Sequence, residues 1–176
     1  MKQHVNGYVS NRVLKLNVGF LLASGAGHSH ETGFDIPTVR VSDDVDLLYI
    51  RGPLRLSRTK EGILVQGTLH VGLDDECYRC LDAIERDVTL SIEELFAYPP
   101  SRDVEFSLTD DGILDLAPLV REEALIAAST GALCKPDCKG LCPDCGVNLN
   151  YTQCSCHEEK IDPRLATLKE LLNAKK

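Results

Sequence analysis

The middle of the chain alternates between apolar and polar residues with the period of two that is typical of a β-strand with one buried face. From Ile63 to Leu73 the odd positions are apolar or glycine, and the even positions are mostly polar. The same alternation recurs in the neighbouring stretches, at Leu54, Leu56, Val88, Leu90 and Ile92. Lys60-Glu61-Gly62 has the composition of a hairpin turn. From Val45 onward the pattern therefore predicts an antiparallel β-sheet.

After the sheet, the hydrophobic period becomes that of a helix. The acidic stretch from Asp103 to Gly112 indicates a surface loop. Asp115 is expected to be an N-cap with Pro118 in the first turn, which predicts a helix near 115–130. Its apolar stripe comprises Leu116, Leu119, Val120, Ile126 and Ala127. Asp162-Pro163 then predicts the start of a short C-terminal helix, with Leu165, Leu168, Leu171 and Leu172 on one face.

The first forty residues give a weaker pattern. Arg12 to Ala23 is compatible with either an opening strand or a short amphipathic helix. Ser24 to His30 is small, polar and glycine-rich, which indicates a flexible loop, and His28 and His30 are interpreted as solvated. Met1 to Gly7 has neither a secretory nor a transit pattern, and no apolar run approaches the roughly 18 residues of a membrane span. We therefore expect a cytoplasmic protein that does not enter the membrane.

Eight cysteines are unusual in a chain of 176 residues that stays in the reducing cytosol, where disulfides are disfavoured. They form four close pairs, which are Cys77 and Cys80, Cys134 and Cys138, Cys142 and Cys145, and Cys154 and Cys156. Four pairs supply the ligands of two tetrahedral zinc sites, and all-cysteine sets are typical of structural zinc. In the second of the two C-x2-C motifs, Gly146 follows Cys145 and can take the positive φ that a zinc knuckle requires.

Separation along the chain predicts how these pairs combine. The two pairs that lie within fifteen residues can close a local site at low entropic cost, and this site 2 comprises Cys142, Cys145, Cys154 and Cys156. The remaining pairs make site 1, which comprises Cys77, Cys80, Cys134 and Cys138. One zinc with four spare thiols is an alternative. A thiol-redox centre is another, although a redox C-x2-C pair is expected at a helix start and Cys77 lies in an antiparallel β context.

Together these elements predict an α+β fold. It consists of a mainly antiparallel β domain followed by a helix, a cysteine-rich zinc-knuckle segment and a short C-terminal helix. We expect residues 1–133 to form the β-rich body, and residues 134–176 to form the zinc-binding segment and the last helix. Cys77 and Cys80 would then clip that segment to the body.

The charge distribution indicates which partners the protein attracts. The net charge is −8, from 19 basic and 27 acidic side chains. Residues 1–133 carry 12 basic and 21 acidic side chains, whereas residues 134–176 carry 7 and 6. Two four-thiolate zinc sites would add eight negative and four positive charges and bring the total to −12. Such a surface favours basic partners and opposes phosphate binding.

No sequence motif of a common enzyme class accompanies these features. The chain contains no GxxxxGK[ST], HExxH, GxSxG or dinucleotide-binding fingerprint. We therefore expect no enzymatic activity, no catalytic residue and no small-molecule substrate.

The cysteine-rich segment closely resembles one known family. The stretch from Cys134 to Asn150, followed by Cys154-Ser155-Cys156 and by Asp162-Pro163-Arg164-Leu165-Ala166, is similar to the YceD family of bacterial and plastid proteins. Glu76-Cys77-Tyr78-Arg79-Cys80-Leu81 and Leu114-Asp115-Leu116 also resemble that family, so the resemblance covers most of residues 45–172. It implies a factor that supports 23S ribosomal RNA synthesis, processing or accumulation, and hence assembly of the large ribosomal subunit.

Two modes of action remain open. In the first, the protein binds a basic large-subunit ribosomal protein or a precursor of the large subunit, with zinc as a structural staple and rRNA affected indirectly. The acidic candidates for that contact are Asp74, Asp75, Glu76, Asp110 and Asp111, each expected in a loop. In the second, a zinc ribbon contacts rRNA directly, and the candidate contacts are Lys135, Lys139, Lys160 and Arg164. The acidic net charge favours the first mode.

Overall fold

The computed structural model describes residues 9–101 and 104–156, which form two compact units. The first consists of the described residues up to Glu76 together with those of Ala83–Ala132 and is called the sheet unit. The second consists of Cys77–Asp82 together with the described residues from Leu133 onward and is called the cysteine unit. The predicted C-terminal helix that begins at Asp162-Pro163 lies outside the described residues.

The sheet unit contains seven described strands and two described α-helices. The strands are β1 (Val9–Ser10), β2 (Lys15–Asn17), β3 (Ser29–Arg40), β4 (Asp46–Arg58), β5 (Gly62–Glu76), β6 (Ala83–Ala97) and β7 (Ile113–Asp115). The helices are α1 (Gly19–Leu22) and α2 (Ala117–Ser129), and a 3-10 helix spans Asn11–Leu14. None of the described helices combines the length and the apolar character needed to cross a bilayer.

Five strands form the main sheet in the order β1-β3-β4-β5-β6. All neighbours are antiparallel except β1 and β3, which run parallel. The alternation predicted around Ile63 to Leu73 is present in β5, where Val65, Leu69 and Val71 are fully buried. The predicted hairpin turn joins β4 to β5, and Thr59 closes it with an N–H that donates to the carbonyl oxygen of Gly62 at 2.9 Å. The antiparallel β body followed by a helix is thus confirmed.

The small β2–β7 sheet delivers the chain into α2. Asp115 is the last residue of β7, and its Oδ1 accepts a hydrogen bond from the N–H of Ala117 at 3.0 Å. The prediction that Asp115 is the N-cap was wrong, since Leu116 occupies that position without a side-chain bond. The buried face of α2 comprises Ala117, Leu119, Val120 and Ala124. Ile126 is 62% exposed, so its assignment to the apolar stripe was also wrong.

Two segments in which the sequence predicted no strand contribute to the sheet unit, and the loop predicted from Ser24 to His30 overlaps the first two residues of one of them. Strand β3 begins at Ser29, before the predicted start of the sheet at Val45, and it pairs with β4 along most of its length. The sequence of β3 shows no clear strand pattern because most of its side chains are exposed and Pro37 interrupts the alternation. In the acidic stretch before β7, Phe106 and Leu108 are buried in the core.

The N-terminal segment from Arg12 to Ala23 contains both of the elements that its sequence allowed. Strand β2 and helix α1 follow one another there, and Leu14, Val18 and Leu21 are buried in the core of the sheet unit. His28 and His30 are exposed, as expected of solvated residues. His30 belongs to β3 and packs edge-on against Phe20 with 5.0 Å between the ring centroids.

Candidate metal centres

The first cysteine group, centre 1, combines the loop between β5 and β6 with the chain that follows Leu133. The four Sγ atoms of Cys77, Cys80, Cys134 and Cys138 all lie within 4.8 Å of one another. Cys77 Sγ is 3.7 Å from Cys138 Sγ, and Cys80 Sγ is 3.6 Å from Cys134 Sγ. A tetrahedron with Zn–S bonds of about 2.3 Å has sulfur–sulfur edges of about 3.8 Å. These two sulfur–sulfur distances match the edges of such a tetrahedron, and the other four lie within 4.8 Å.

The second group, centre 2, is local in the sequence. The Sγ atoms of Cys142, Cys145, Cys154 and Cys156 also lie within 4.8 Å of one another. Cys142 is buried, whereas Cys145 and Cys156 are exposed. Centre 1 is better shielded, since Cys77, Cys80 and Cys138 are each at most 4% exposed and pack with Leu133 in a small apolar cluster. Both groups are closed sets of four sulfur ligands, which is the chemistry of structural metal sites.

Each centre contains a C-x2-C knuckle with the same backbone hydrogen bonds. In centre 1 the N–H of Cys77 donates to the carbonyl oxygen of Asp82 at 2.9 Å, and the N–H of Leu81 donates to that of Cys77 at 2.8 Å. In centre 2 the corresponding bonds run from Cys142 to Val147 and from Gly146 to Cys142, both at 2.8 Å. The two loops are therefore two copies of one turn.

The residue after the second cysteine of each knuckle takes a left-handed conformation. Gly146 has φ 73°, as its sequence position predicted, and Leu81 has φ 59° at the equivalent position of centre 1. A left-handed conformation costs a residue other than glycine about 1–2 kcal/mol. Centre 1 accepts that strain at Leu81, whereas centre 2 avoids it.

The first thiol of each knuckle is poised to ionise. Burial by itself would raise the pKa of Cys77, but backbone N–H groups of Cys134, Cys80 and Arg79 lower it to about 6. Backbone N–H groups of Cys145 and Asp144 lower the pKa of Cys142 to about 7. In the knuckle, N–H groups two and three residues after the cysteine thus stabilise its thiolate.

Other thiols of the two groups hold their protons more tightly. Burial raises the pKa of Cys80, and the side chain of Cys77 raises it further. Hydrogen bonding to Cys145 raises the pKa of Cys156 to about 12. Several thiolates this close repel one another, and a divalent cation at the centre of the group would offset that repulsion. The donor set therefore fits a metal ion better than it fits four free thiols.

Asp82 connects the knuckle of centre 1 to the loop of centre 2. Its Oδ1 accepts a hydrogen bond from Asn148 Nδ2 at 3.1 Å, and its Oδ2 accepts one from the Tyr151 hydroxyl at 2.9 Å. The hydrogen bond from Tyr151 is the main cause of the lowered pKa of Asp82. The Cys80 thiol also donates to Oδ2, at 3.3 Å. This carboxylate is therefore held ionised between the two centres.

Asn150 supports centre 1 from the other end of the same loop. Its Nδ2 donates to Cys138 Sγ at 3.3 Å, which lowers the pKa of that thiol. Its Oδ1 accepts the backbone N–H of Lys139 at 3.0 Å. Arg79 contributes a further bond, from Nη1 to the carbonyl oxygen of Cys138 at 3.1 Å. Sequence reasoning missed these supporting residues, although an asparagine-rich turn between two cysteine pairs is a recognisable signal.

All eight cysteines predicted as metal ligands lie in the two groups, divided as the sequence predicted. Their role as ligands stays a prediction. Of the candidate RNA contacts, Lys135 and Lys139 are exposed, and Lys160 and Arg164 lie outside the described residues.

The predicted acidic partner surface is only partly a set of free loop charges. Asp74, Asp75 and Glu76 are the last residues of β5, so the prediction that they lie in a loop was wrong. Asp75 forms an ion pair with Arg86 Nη1 at 3.3 Å, with both side chains largely shielded. Asp74, Glu76, Asp110 and Asp111 are exposed, and the last two lie in the turn before β7.

Comparison with known proteins identifies relatives of the chain. A family model described as large ribosomal RNA subunit accumulation protein YceD matches residues 65–172. The uncharacterized protein Rv2926c of Mycobacterium tuberculosis is 38% identical over 125 residues, which cover 68% of this chain and 60% of that protein. YlbN of Bacillus subtilis, also described as uncharacterized, is 29% identical over 100 residues, which cover 54% of this chain and 58% of YlbN.

A more distant relative carries a descriptive name. The chloroplastic large ribosomal RNA subunit accumulation protein YCED homolog 1 of Zea mays is 36% identical over 52 residues, or 29% of this chain and 18% of the maize protein. The chain spans about three fifths of the length of Rv2926c. No solved structure matches it.

Proposed function

Because the chain belongs to the YceD family, we propose that it is a non-enzymatic factor of ribosome biogenesis that supports accumulation of the large-subunit ribosomal RNA. The family description and the name of the maize relative support this role. We further propose that it acts in the cytoplasm on assembly of the large subunit.

In this proposal, zinc has a structural role at both centres. The observation that carries it is the pair of four-thiol groups, each with its Sγ atoms within 4.8 Å. A bound zinc ion would offset half of the negative charge of the four thiolates and fix loops that have few apolar residues of their own. The knuckle N–H groups and Asn150 would hold the thiolates in position. No position is left for a substrate, so the proposed metal sites do not support catalysis.

We propose that the partner is a basic ribosomal protein or a precursor particle of the large subunit. The net charge of −8, concentrated in residues 1–133, supports a basic partner. Direct binding of naked rRNA would oppose that charge, so the effect on rRNA accumulation is indirect in this proposal.

The test is affinity capture of the tagged full chain from lysate of its source organism, with and without RNase, combined with metal analysis. The expected result is two zinc ions per chain and recovery of a large-subunit protein that survives RNase treatment. Depletion of the protein should lower the amount of 23S rRNA relative to 16S rRNA. If the large-subunit protein is no longer recovered after RNase treatment, the result would instead support direct RNA binding.

A further inference from the structure

Strand β6 is the last strand of the five-stranded sheet, and among residues 9–101 and 104–156 no second strand pairs along its other edge. β5 lies on one side of it, and the register between the two strands runs without a shift from Gly62↔Ala97 to Glu76↔Ala83. An uninterrupted register means that every second residue of β6 directs its N–H and C=O groups away from β5. The phase of that alternation decides which residues form the edge.

Ala97 fixes this phase. Its N–H donates to the carbonyl oxygen of Phe106 at 3.1 Å, and its own carbonyl oxygen accepts from Leu108 at 3.0 Å. The same outward direction at intervals of two assigns the edge to Glu93, Ser91, Thr89 and Asp87. Leu95 agrees with this phase, because its N–H bonds to the Glu94 side chain rather than to β5. Within residues 9–101 and 104–156, no backbone group pairs with the edge from Asp87 to Glu93, called here the open edge.

The chain itself already uses the far end of this edge. Ser107 forms a parallel bridge with Ala97, through the two hydrogen bonds made by Ala97. That bridge is a one-residue strand addition, and it is separated from the open edge by Glu94, Leu95 and Phe96. At Ala97, the edge of β6 is therefore sterically accessible to an extended backbone.

Glycine and proline, which often protect an edge strand by making its backbone irregular, are absent from β6. Between Ala83 and Ala97 the strand contains neither glycine nor proline. Strand β3, near the other edge of the sheet, contains both Gly33 and Pro37. Proline and irregular backbone are common ways to protect an edge strand, so β3 has this protection, whereas β6 is protected only by charged side chains.

The charge of β6 indicates which kind of strand would pair with the open edge. The exposed face of the strand carries Glu85, Asp87 and Glu93, with no basic residue among its odd positions. Arg86 lies on the opposite face, where its guanidinium donates to the carbonyl oxygens of Ala127 and Gly131. A second copy of the chain would bring acidic faces together, which opposes pairing, whereas a basic strand would place its cations across from these carboxylates.

We propose that the open edge of β6 binds an extended basic protein segment by β-strand addition. The inference rests on the proposed function for the class of partner, a basic ribosomal protein, and assigns the surface that such a partner would use. Backbone hydrogen bonds would give affinity, and alternating Lys or Arg side chains facing Glu85, Asp87 and Glu93 would give specificity.

The probe is a nine-residue peptide with Lys at odd positions and alternating Val and Thr at even positions, titrated into the isotope-labelled full chain and followed by NMR. The amides of Thr89, Ser91 and Glu93 should shift and exchange more slowly with solvent. A peptide of the same charge that is N-methylated at every internal residue should bind about tenfold or more weakly, because it cannot donate backbone hydrogen bonds. Replacement of Lys by Glu in the peptide should also abolish binding.

A matched pair of variants tests the edge in the protein. Ser91→Pro removes an outward N–H without removing a bond to β5, and it should weaken binding about tenfold, whereas Ser91→Ala should leave binding unchanged. Equal binding of the N-methylated peptide, amide shifts that map away from β6, or self-association through β6 in place of peptide binding would each overturn the proposal. If the open edge fails these tests while capture of a large-subunit protein persists, the proposed function stands without this surface.

Discussion

Asn148 donates a hydrogen bond to Asp82 across 66 positions of the sequence, with 3.1 Å between Nδ2 and Oδ1. Asp82 directly follows the first knuckle, and Asn148 lies between the two cysteine pairs of centre 2. The bond therefore joins residues that support the two candidate metal centres. Loss of one centre should therefore weaken the structure around the other.

Replacement of Asp82 tests this connection. Asp82→Ala leaves the Asn148 amide and the Tyr151 hydroxyl without their acceptor, and zinc should pass to a chelator about tenfold faster, in line with the effect of residues that support metal ligands. Asp137→Ala is the matched control, because Asp137 is an exposed acidic residue of the same unit. Release rates are measured with a colorimetric zinc chelator. Equal rates for both variants would show that Asp82 does not support the centres.

Single cysteine replacements test the division of the eight thiols. Cys142→Ser should lower the zinc content from two ions to one and loosen the loop of centre 2, while the sheet unit keeps its own apolar core. Cys77→Ser should also lower the content by one ion, through centre 1. Metal analysis and amide exchange of the same samples report both effects. Loss of both ions in each variant would indicate ligands that are shared between the groups.

Two glycines of the cysteine unit form a matched pair. Gly140 has φ 75° and Gly146 has φ 73°, so alanine at either position has the same left-handed strain of about 1–2 kcal/mol. A Cβ at Gly140 would also lie 3.0 Å from the carbonyl oxygen of Arg79, whereas a Cβ at Gly146 has nothing within 4 Å. Gly140→Ala should therefore release zinc faster than Gly146→Ala in the chelator assay. The reverse order would contradict this account of the turn.

The ion pair between Asp44 and Arg121 predicts a pH dependence in the sheet unit. Arg121 donates to Asp44 Oδ1 at 2.8 Å and holds the pKa of that carboxyl well below its ordinary value of 3.8. A depressed carboxyl pKa contributes stability that is present above the ordinary value and is lost as the pH falls below it. The difference in thermal stability between the protein and Asp44→Asn should thus be small and constant from pH 5 to 7, and shrink below about pH 4.

Asp43→Asn provides the control for this experiment, because Asp43 is an exposed neighbour in the same turn. Its effect on the melting temperature should not follow the pH dependence of Asp44→Asn. A stability difference that grows as the pH falls would contradict the predicted sign.

The exposed acidic turn before β7 tests a second route to a basic partner. Reversal of Asp110 and Asp111 to Lys should reduce capture of a basic ribosomal protein, mostly at low salt, because steering between exposed charges is screened over about 8 Å at physiological ionic strength. Zinc content and melting temperature should change little. Capture is compared over a salt series with that by Asp74→Lys, which places the same change at the end of β5. If the Asp110 and Asp111 variant captures the partner as well as the unaltered protein does at every salt concentration, this turn does not contribute to the partner surface.

The sequence alone determined the features that depend on local periodicity or local spacing. Alternation around Ile63 to Leu73 predicted β5 because one face of that strand is buried. The close spacing from Cys142 to Cys156 predicted the grouping of centre 2 because a short loop limits which thiols can meet. Gly146 was predictable for the same reason, since a knuckle turn requires a positive φ directly after its second cysteine.

Tertiary structure decided the features that depend on residues far apart. β3 became a strand because β4 pairs with it, although its own side chains are mostly exposed. Asp75 is not a free acidic residue because the register of β5 and β6 places it beside Arg86, with which it forms an ion pair. Asp82 is a supporting residue only because the fold brings Asn148 and Tyr151 within hydrogen-bond distance of its carboxylate. No local sequence pattern could have predicted contacts between residues so far apart in the chain. Hydrogen bonds and ion pairs across such separations are set by the path of the whole chain, which periodicity and spacing do not encode.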